Sequence, residues 1–394
     1  MTRVSYRQIN NDAELRKLCE ELAVAPWIAF DTEFVSEHSY RSELCLIQVA
    51  APDLLAIIDP LSINDVGPFW ELIVAPGHET IVHAGREELN FCLSSTGKLP
   101  NQLFDVQIAA GLVGPEYPAG YGALLYRLLG VSLEKGETRT DWRRRPLTKH
   151  QLDYALDDVR HLRGLRDTLV ERLTEAGRLE WLGEEMQAWQ TEVHDYRGRE
   201  HWRRLPGGNT LNRRSLAVLR ELWIWRDSEA KRRNHPVRRV LRDDLMIEVA
   251  KRRSSDIKHI QAIRGMERSD AHRIMPDMAQ GIQRALDVPE AELPQHQKQG
   301  TSNQFALLGQ FLSTALTSIC KTKNLAASLV GTASDVRDLI SFRLGIETTE
   351  PPFLATGWRE QIVGRLIEDL LEGKVTVHVE NPLSEDPLRF VPRP

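Results

Sequence analysis

The stretch WIAFDTEF, residues 27–34, starts apolar and ends in two acids separated by one residue, Asp31 and Glu33. On a strand this spacing sends both carboxylates from one face and Thr32 from the other. Two neighbouring carboxylates repel unless a cation lies between them, and an acid pair on a half-buried strand requires a partner. LCLIQVA (44–50) and LLAIIDP (54–60) follow closely, with strand length and β-branched content, and ETIVHA (79–84) comes after a helical pattern over 65–75. The close succession of the first three predicts antiparallel strands joined by hairpins. The later alternation predicts parallel strands covered by helices, hence a mixed α/β sheet.

After the last of these strands, TIVHAGREELNFC (80–92) carries two adjacent glutamates on an expected helix over 87–94. Glu88 lies one helical step from Cys92, beside the stripe of Leu89, Cys92 and Leu93, whereas Glu87 points away from it. From Pro146 onward strand signals nearly vanish. The segment 146–173, PLTKHQLDYALDDVRHLRGLRDTLVERL, begins with a capping box, Thr148 with Gln151, and continues as a helix with an apolar stripe of Leu152, Ala155, Leu156, Val159 and Leu162. Tyr154 and Asp158 share one border of that stripe; Asp153 and Asp157 share the other and are expected to be solvated.

The 394 residues are too many for one ordinary core. Turn-rich LPGGN (205–209) and the polar segment 289–304 read as linkers, giving expected domains at 1–190, 208–290 and 300–382. The net charge of −5 conceals an uneven distribution: residues 195–268 hold 20 Lys and Arg against 10 Asp and Glu, leaving 31 against 46 elsewhere. Such a block marks either a polyanion contact or a solvated helical face. The four cysteines are far apart with no CxxC, so neither a zinc cluster nor a disulfide framework is indicated, and a reducing, cytoplasmic compartment is expected. The polar N-terminus lacks a signal-peptide core and no stretch is long and apolar enough to span a membrane, so no membrane partner is expected. No obligate protein partner is evident.

D-x-E on the first long strand, H-A-G-x-E-acid-L in the middle, RTDWRRRPLT (139–148) and Y-x-x-x-D on a late helix together resemble the DEDDy 3′→5′ exonucleases of the ribonuclease D family. The resemblance runs from about residue 27 to 165, and 211–253 resembles an HRDC module. It implies a ribonuclease H-like exonuclease domain followed by all-α HRDC-type modules, with 305–379 similar to a second, divergent one. It also implies hydrolysis at RNA 3′ ends, with precursor tRNA and other structured RNA as substrates. By position, Asp31, Glu33, Glu88 and Asp158 match the metal-binding acids and Tyr154 the catalytic tyrosine. The family normally has aspartate where this chain has Glu88.

Phosphodiester hydrolysis must activate a water, hold an anionic diester and stabilise a leaving 3′-oxyanion, tasks that two divalent cations can share. Oxygen-only ligation by four carboxylates favours Mg²⁺ or Mn²⁺. Tyr154 is expected to orient the attacking water, its pKa lowered by a metal-bound neighbour. His83 reads equally as a core histidine or a substrate contact. Trp142 and Arg143 to Arg145 read as a stacking and phosphate-pairing group or as a solvated face. Two rival functions remain: a DNA 3′–5′ exonuclease, and a catalytically weak RNA-binding scaffold, which Glu88 makes thinkable. No Walker A loop is present, which disfavours a fused helicase.

Overall fold

The computed structural model describes residues 5–133, 140–196, 201–266, 271–295, 305–346 and 350–393. Arg139, parts of the basic segment (197–200 and 267–268) and residues 296–304 of the second expected linker lie outside them. The chain forms two compact units: Met1–Glu33 with Cys45–Tyr196 and Gly300–Pro394, and Phe34–Leu44 with Arg197–Gln299.

The first unit is built on a six-stranded sheet of β1 (Arg7–Ile9), β2 (Trp27–Val35), β3 (Glu43–Ala51), β4 (Leu54–Ile58), β5 (Glu79–Val82) and β6 (Leu103–Asp105). Its order is β1-β4-β3-β2-β5-β6. β3 and β4 pair antiparallel, with Ile47 opposite Ile58. β5 runs parallel to β2, with Ile28 opposite Thr80, and β6 runs parallel to β5. The sheet is mixed, as the sequence pattern predicts. The edge strands β1 and β6 carry no comparable signal, being three residues each, and β1 is largely exposed.

β2 is central, and its Ile28, Ala29 and Phe30 are fully buried. The Phe30 ring meets Phe69 and Trp70 edge-on at 5.7 and 6.0 Å. Helix α1 (Asp12–Leu22), capped by Asn11, buries Leu15, Leu18 and Leu22, and α2 (Gly67–Val74) supplies Phe69 and Trp70. There follow α3 (Arg86–Thr96), α4 (Val106–Gly111), α5 (Tyr121–Leu129), α6 (Lys149–Arg160), α7 (Leu162–Glu175) and α8 (Leu179–Tyr196).

The segment expected as a second accessory module shares the first unit's core instead of enclosing one of its own. Leu312, Leu316, Ile319, Leu339 and Trp358 belong to the same buried cluster as Leu165, Leu169, Leu182 and Met186. Trp358 stacks on Trp181 of α8, ring centroids 5.0 Å apart, and its Nε1 donates to Glu185 Oε1 at 2.8 Å. Buried Arg359 forms an ion pair with Glu185 through both terminal nitrogens and donates to the carbonyls of Leu329 and Val330. The chain then forms a hairpin of β7 (Val375–Val379) and β8 (Leu388–Pro392), an addition to the all-helical expectation.

The second unit is helical around a separate core that includes Leu219, Leu222, Met246, Ile247, Met278 and Ile282. Its long helix α9 (Arg213–Arg233) is capped by Asn212 and ends at Asn234, whose φ of 50° is left-handed. Tyr40, from the segment between β2 and β3, donates its hydroxyl to Asp227 of α9 at 2.9 Å, and its backbone N–H to Asn234. No described helix is long and apolar enough to cross a membrane.

Candidate active site

On β2, Asp31 and Glu33 are half-buried and Thr32 is buried between them. The chain leaves β5 through His83, Ala84 and Gly85. Ala84 is left-handed, with φ 54°, and a Cβ on Gly85 would stand 2.6 Å from Val82 Cγ2, so only glycine fits there. Fully buried Asp105 holds this turn. Its Oδ2 accepts the Gly85 N–H at 2.9 Å while its Oδ1 caps α4 through the Gln107 N–H at 2.7 Å. The turn starts α3 so that Glu88, in its first turn, is buried, and Thr32 Oγ1 donates to Glu88 Oε1 at 2.5 Å. Glu87 is half-buried and accepts from Asn90 at 3.2 Å. The wheel-based distinction between the two glutamates is therefore visible in their surroundings.

The capping box of α6 is formed as read, with Thr148 N–H donating to Gln151 Oε1 at 2.8 Å and Gln151 N–H to Thr148 Oγ1 at 3.2 Å. Ala155, Leu156 and Val159 face the core. Asp158 and Tyr154, four residues apart, lie half-buried on the stripe border. On the other border Asp153 is exposed, while Asp157 is half-buried and pairs with Arg160 at 3.0 Å.

The four acids are within electrostatic reach of one another. Burial, then Asp158, pushes the Asp31 carboxyl up to about 8. Burial, then Asp31, Asp158 and Glu88, pushes Glu33 up to about 9. Glu88 rises to about 8 through burial and Asp31, against the Thr32 hydrogen bond, and Asp158 to about 7 through burial and Asp157, against Tyr154. Among the described residues none of the four forms an ion pair with a basic side chain. Nor does any group of three or more His, Cys, Asp and Glu among those residues already stand in ligating geometry. The donor set nonetheless fits a hard cation: all ligands are oxygens, the carboxylates crowd one another, and positive charge would relieve both repulsion and burial. Without that charge burial, then Asp158, Glu33 and Asp31, hold the Tyr154 phenol above its ordinary pKa, opposite to the direction expected beside a metal-bound carboxylate.

The expected substrate contacts fare differently. His83 Nε2 is 3.0 Å from the Ala119 carbonyl, and its ring lies 5.4 Å from that of Tyr121. Trp142 is 4% exposed and packs behind Tyr154, ring centroids 6.2 Å apart, so its faces are not open to a base. Arg145 is a clamp and not a phosphate ligand: Nε and Nη2 donate to Asp59 at 2.6 and 2.7 Å, and the remaining N–H groups reach the Trp142 and Cys45 carbonyls. Burial of Trp142 and the engaged guanidinium of Arg145 give both residues structural contacts within the fold. Arg143 pairs with Asp141, whereas Arg144 is exposed. Asp105 was legible only as an acid immediately before a helical pattern, an N-cap signal. Tyr121 carried no sequence signal.

The sheet, its covering helices and the acid cluster define a 3′–5′ exonuclease. Residues 6–174 match the 3′–5′ exonuclease family, and residues 215–282 the HRDC domain. The chain is 35% identical over 388 residues to Ribonuclease D of Zymomonas mobilis subsp. mobilis, covering 94% of this chain and 95% of that protein. It is 32% identical over 375 residues to Ribonuclease D of Pseudomonas paraeruginosa, covering 94% and 99%. The crystal structure of Escherichia coli RNase D, an exoribonuclease involved in structured RNA processing, matches with a TM-score of 0.82 at 28% identity, over 94% of this chain and 99% of that one. The chain belongs to the ribonuclease D family. It is a 3′–5′ exoribonuclease, a hydrolase, with a ribonuclease H-like mixed sheet and a helical HRDC region. The family acts on RNA and depends on divalent metal ions.

Proposed function

We propose that Asp31, Glu33, Glu88 and Asp158 hold two divalent cations, Mg²⁺ or Mn²⁺, for hydrolysis of RNA 3′ ends, with precursor tRNA and other structured RNA as substrates. The observation that carries this reading is the convergence of four buried or half-buried carboxylates that lack basic partners among the described residues. When bound, the cations supply an activated water and charge for the leaving 3′-oxyanion. Thr32 donates to one oxygen of Glu88 and so orients its carboxylate. Tyr154, one helical turn before Asp158, orients the attacking water from the border of α6.

The test is cleavage of 3′- and 5′-labelled RNA by Asp31→Asn, Glu33→Gln and Asp158→Asn, with Mn²⁺ binding followed by electron paramagnetic resonance. Each variant is expected to lose at least about 100-fold in activity together with metal affinity, while keeping the parental fold. Near-normal turnover of Asp31→Asn would overturn the assignment. A precursor tRNA with a 3′ trailer, compared with unstructured RNA of equal length, tests the substrate class. Equal rates on the two would sink that part.

The HRDC unit is proposed to grip RNA phosphates. Much of its charge is spent internally: Arg232 and Arg233 pair with Glu229, Arg226 and Arg238 with Asp243, and Arg242 with Asp244. Arg252, Arg253 and Lys258 are exposed and form no ion pair among the described residues, so they are the cations best placed to track a backbone.

A further inference from the structure

In sequence, residues 149–173 read as one helix, yet the structure interrupts it at His161, whose φ of −105° and ψ of −3° separate α6 from α7. No proline lies at the break. In a continuous α-helix the His161 N–H would donate to the Asp157 carbonyl. Here the Tyr121 hydroxyl, at the start of α5, donates to that carbonyl at 2.9 Å. The His161 N–H turns instead to Val159 O. A side chain inserted into the hydrogen-bond ladder is an established cause of helix bends. The insertion lies one residue from Asp158. The Tyr121 ring is itself braced against His83 at the end of β5, two residues before the Gly85 turn that starts the helix of Glu88.

We propose that Tyr121 is a positioning residue: by taking the Asp157 carbonyl that the His161 amide would otherwise occupy, it sets the direction in which α6 delivers Asp158 to the acid cluster. The inference rests on the reading of Asp158 as a metal ligand, and goes beyond it by assigning the geometry of that ligand to a hydroxyl on α5, bonded to the backbone of α6. Without the hydroxyl, the helix can restore its own hydrogen bond and straighten past Asp158.

Tyr121→Phe keeps the ring and removes only the bridging oxygen. Mn²⁺ affinity without RNA, followed by calorimetry or electron paramagnetic resonance, is expected to fall roughly 10-fold, the range seen when groups that orient metal ligands are removed. Activity should fall similarly at limiting metal and recover at saturating Mn²⁺, with KM for RNA unchanged. Asp158→Asn separates the two levels of the argument. If that variant keeps both metal affinity and activity, the ligand reading fails. If it loses both while Tyr121→Phe binds Mn²⁺ like the parent, only the positioning role fails. A Tyr121→Phe protein with a lowered melting temperature and unchanged Mn²⁺ affinity would overturn the role as well, because the hydroxyl would then serve the fold and not the site.

Discussion

Glu87 and Glu88 are neighbours in the chain and differ in everything that matters to a cation. Glu88 is buried against Thr32 and within reach of Asp31 and Glu33, whereas Glu87 is tied to Asn90 on the flank of α3. Glu88→Gln should therefore lose at least about 100-fold in activity and Glu87→Gln remain close to the parent. Glu88→Asp should stay active with a changed Mg²⁺ to Mn²⁺ preference. Equal tolerance of both Gln variants would return the pair to a solvated face. The acid cluster also makes a pH prediction for the metal-free protein. Asp31 titrates at about 8 when folded, against about 4 when unfolded, so between those values the native state keeps a proton that the unfolded chain has released. Stability from this group is thus full below about pH 4 and is lost as the pH rises towards 8. Asp31→Asn should melt above the parent at pH 8 without metal, with the gap narrowing towards pH 5; a gap independent of pH would mean that the carboxylate is solvated. These residues were legible because strand alternation and the helical wheel are local rules. The structural contacts of Trp142 and Arg145 were not legible because their partners, Tyr154 and Asp59, are set by tertiary contact.

Strands β2 to β5 and the start of α6 were legible in sequence because each carries a long apolar run or a cap. β1 and β6 were not, since three-residue strands take their register from neighbours. Nor was the break after Asp158, which is imposed by a hydroxyl 36 residues away in the chain. Asp105 shows how one buried side chain joins two such elements, accepting from the turn before α3 and capping α4. Asp105→Ala removes a cap and leaves the Gly85 N–H without its acceptor, a loss of about 2–4 kcal/mol. Urea unfolding should show the loss as a lower midpoint, and activity should fall with it because the turn that aims Glu88 is released. A midpoint within experimental error of the parent would show that water replaces the carboxylate.

The first unit is not contiguous in the chain: its sheet and acids precede the HRDC region, and part of its core follows it. Sequence reading separates 300–382 as a module because linker-like composition says where a chain is exposed, not which core the next helices join. Truncation after residue 208 should consequently expose Leu182 and Met186 and yield insoluble protein instead of a minimal nuclease. Arg359→Met strands the Glu185 carboxylate in the core and should destabilise the unit by about 3–5 kcal/mol. A mild effect would mean that water reaches Glu185. Arg252→Gln, Arg253→Gln and Lys258→Gln together should flatten the salt dependence of RNA binding while sparing metal-dependent cleavage of dinucleotides; an unchanged slope would place those cations away from the RNA.

This discontinuity has a consequence for how the enzyme is made. A ribosome adding about 5–20 residues per second needs on the order of 10 s to travel from α7 to Trp358. Throughout that interval all four acids have been synthesised, but the helices that close their core have not. The HRDC unit, whose core lies within its own residues, can fold during the wait. The nascent chain is therefore expected to gain ribonuclease activity only once Trp358 has emerged, which stalled chains of increasing length assayed for RNA cleavage would check; activity in chains ending before residue 300 would refute it.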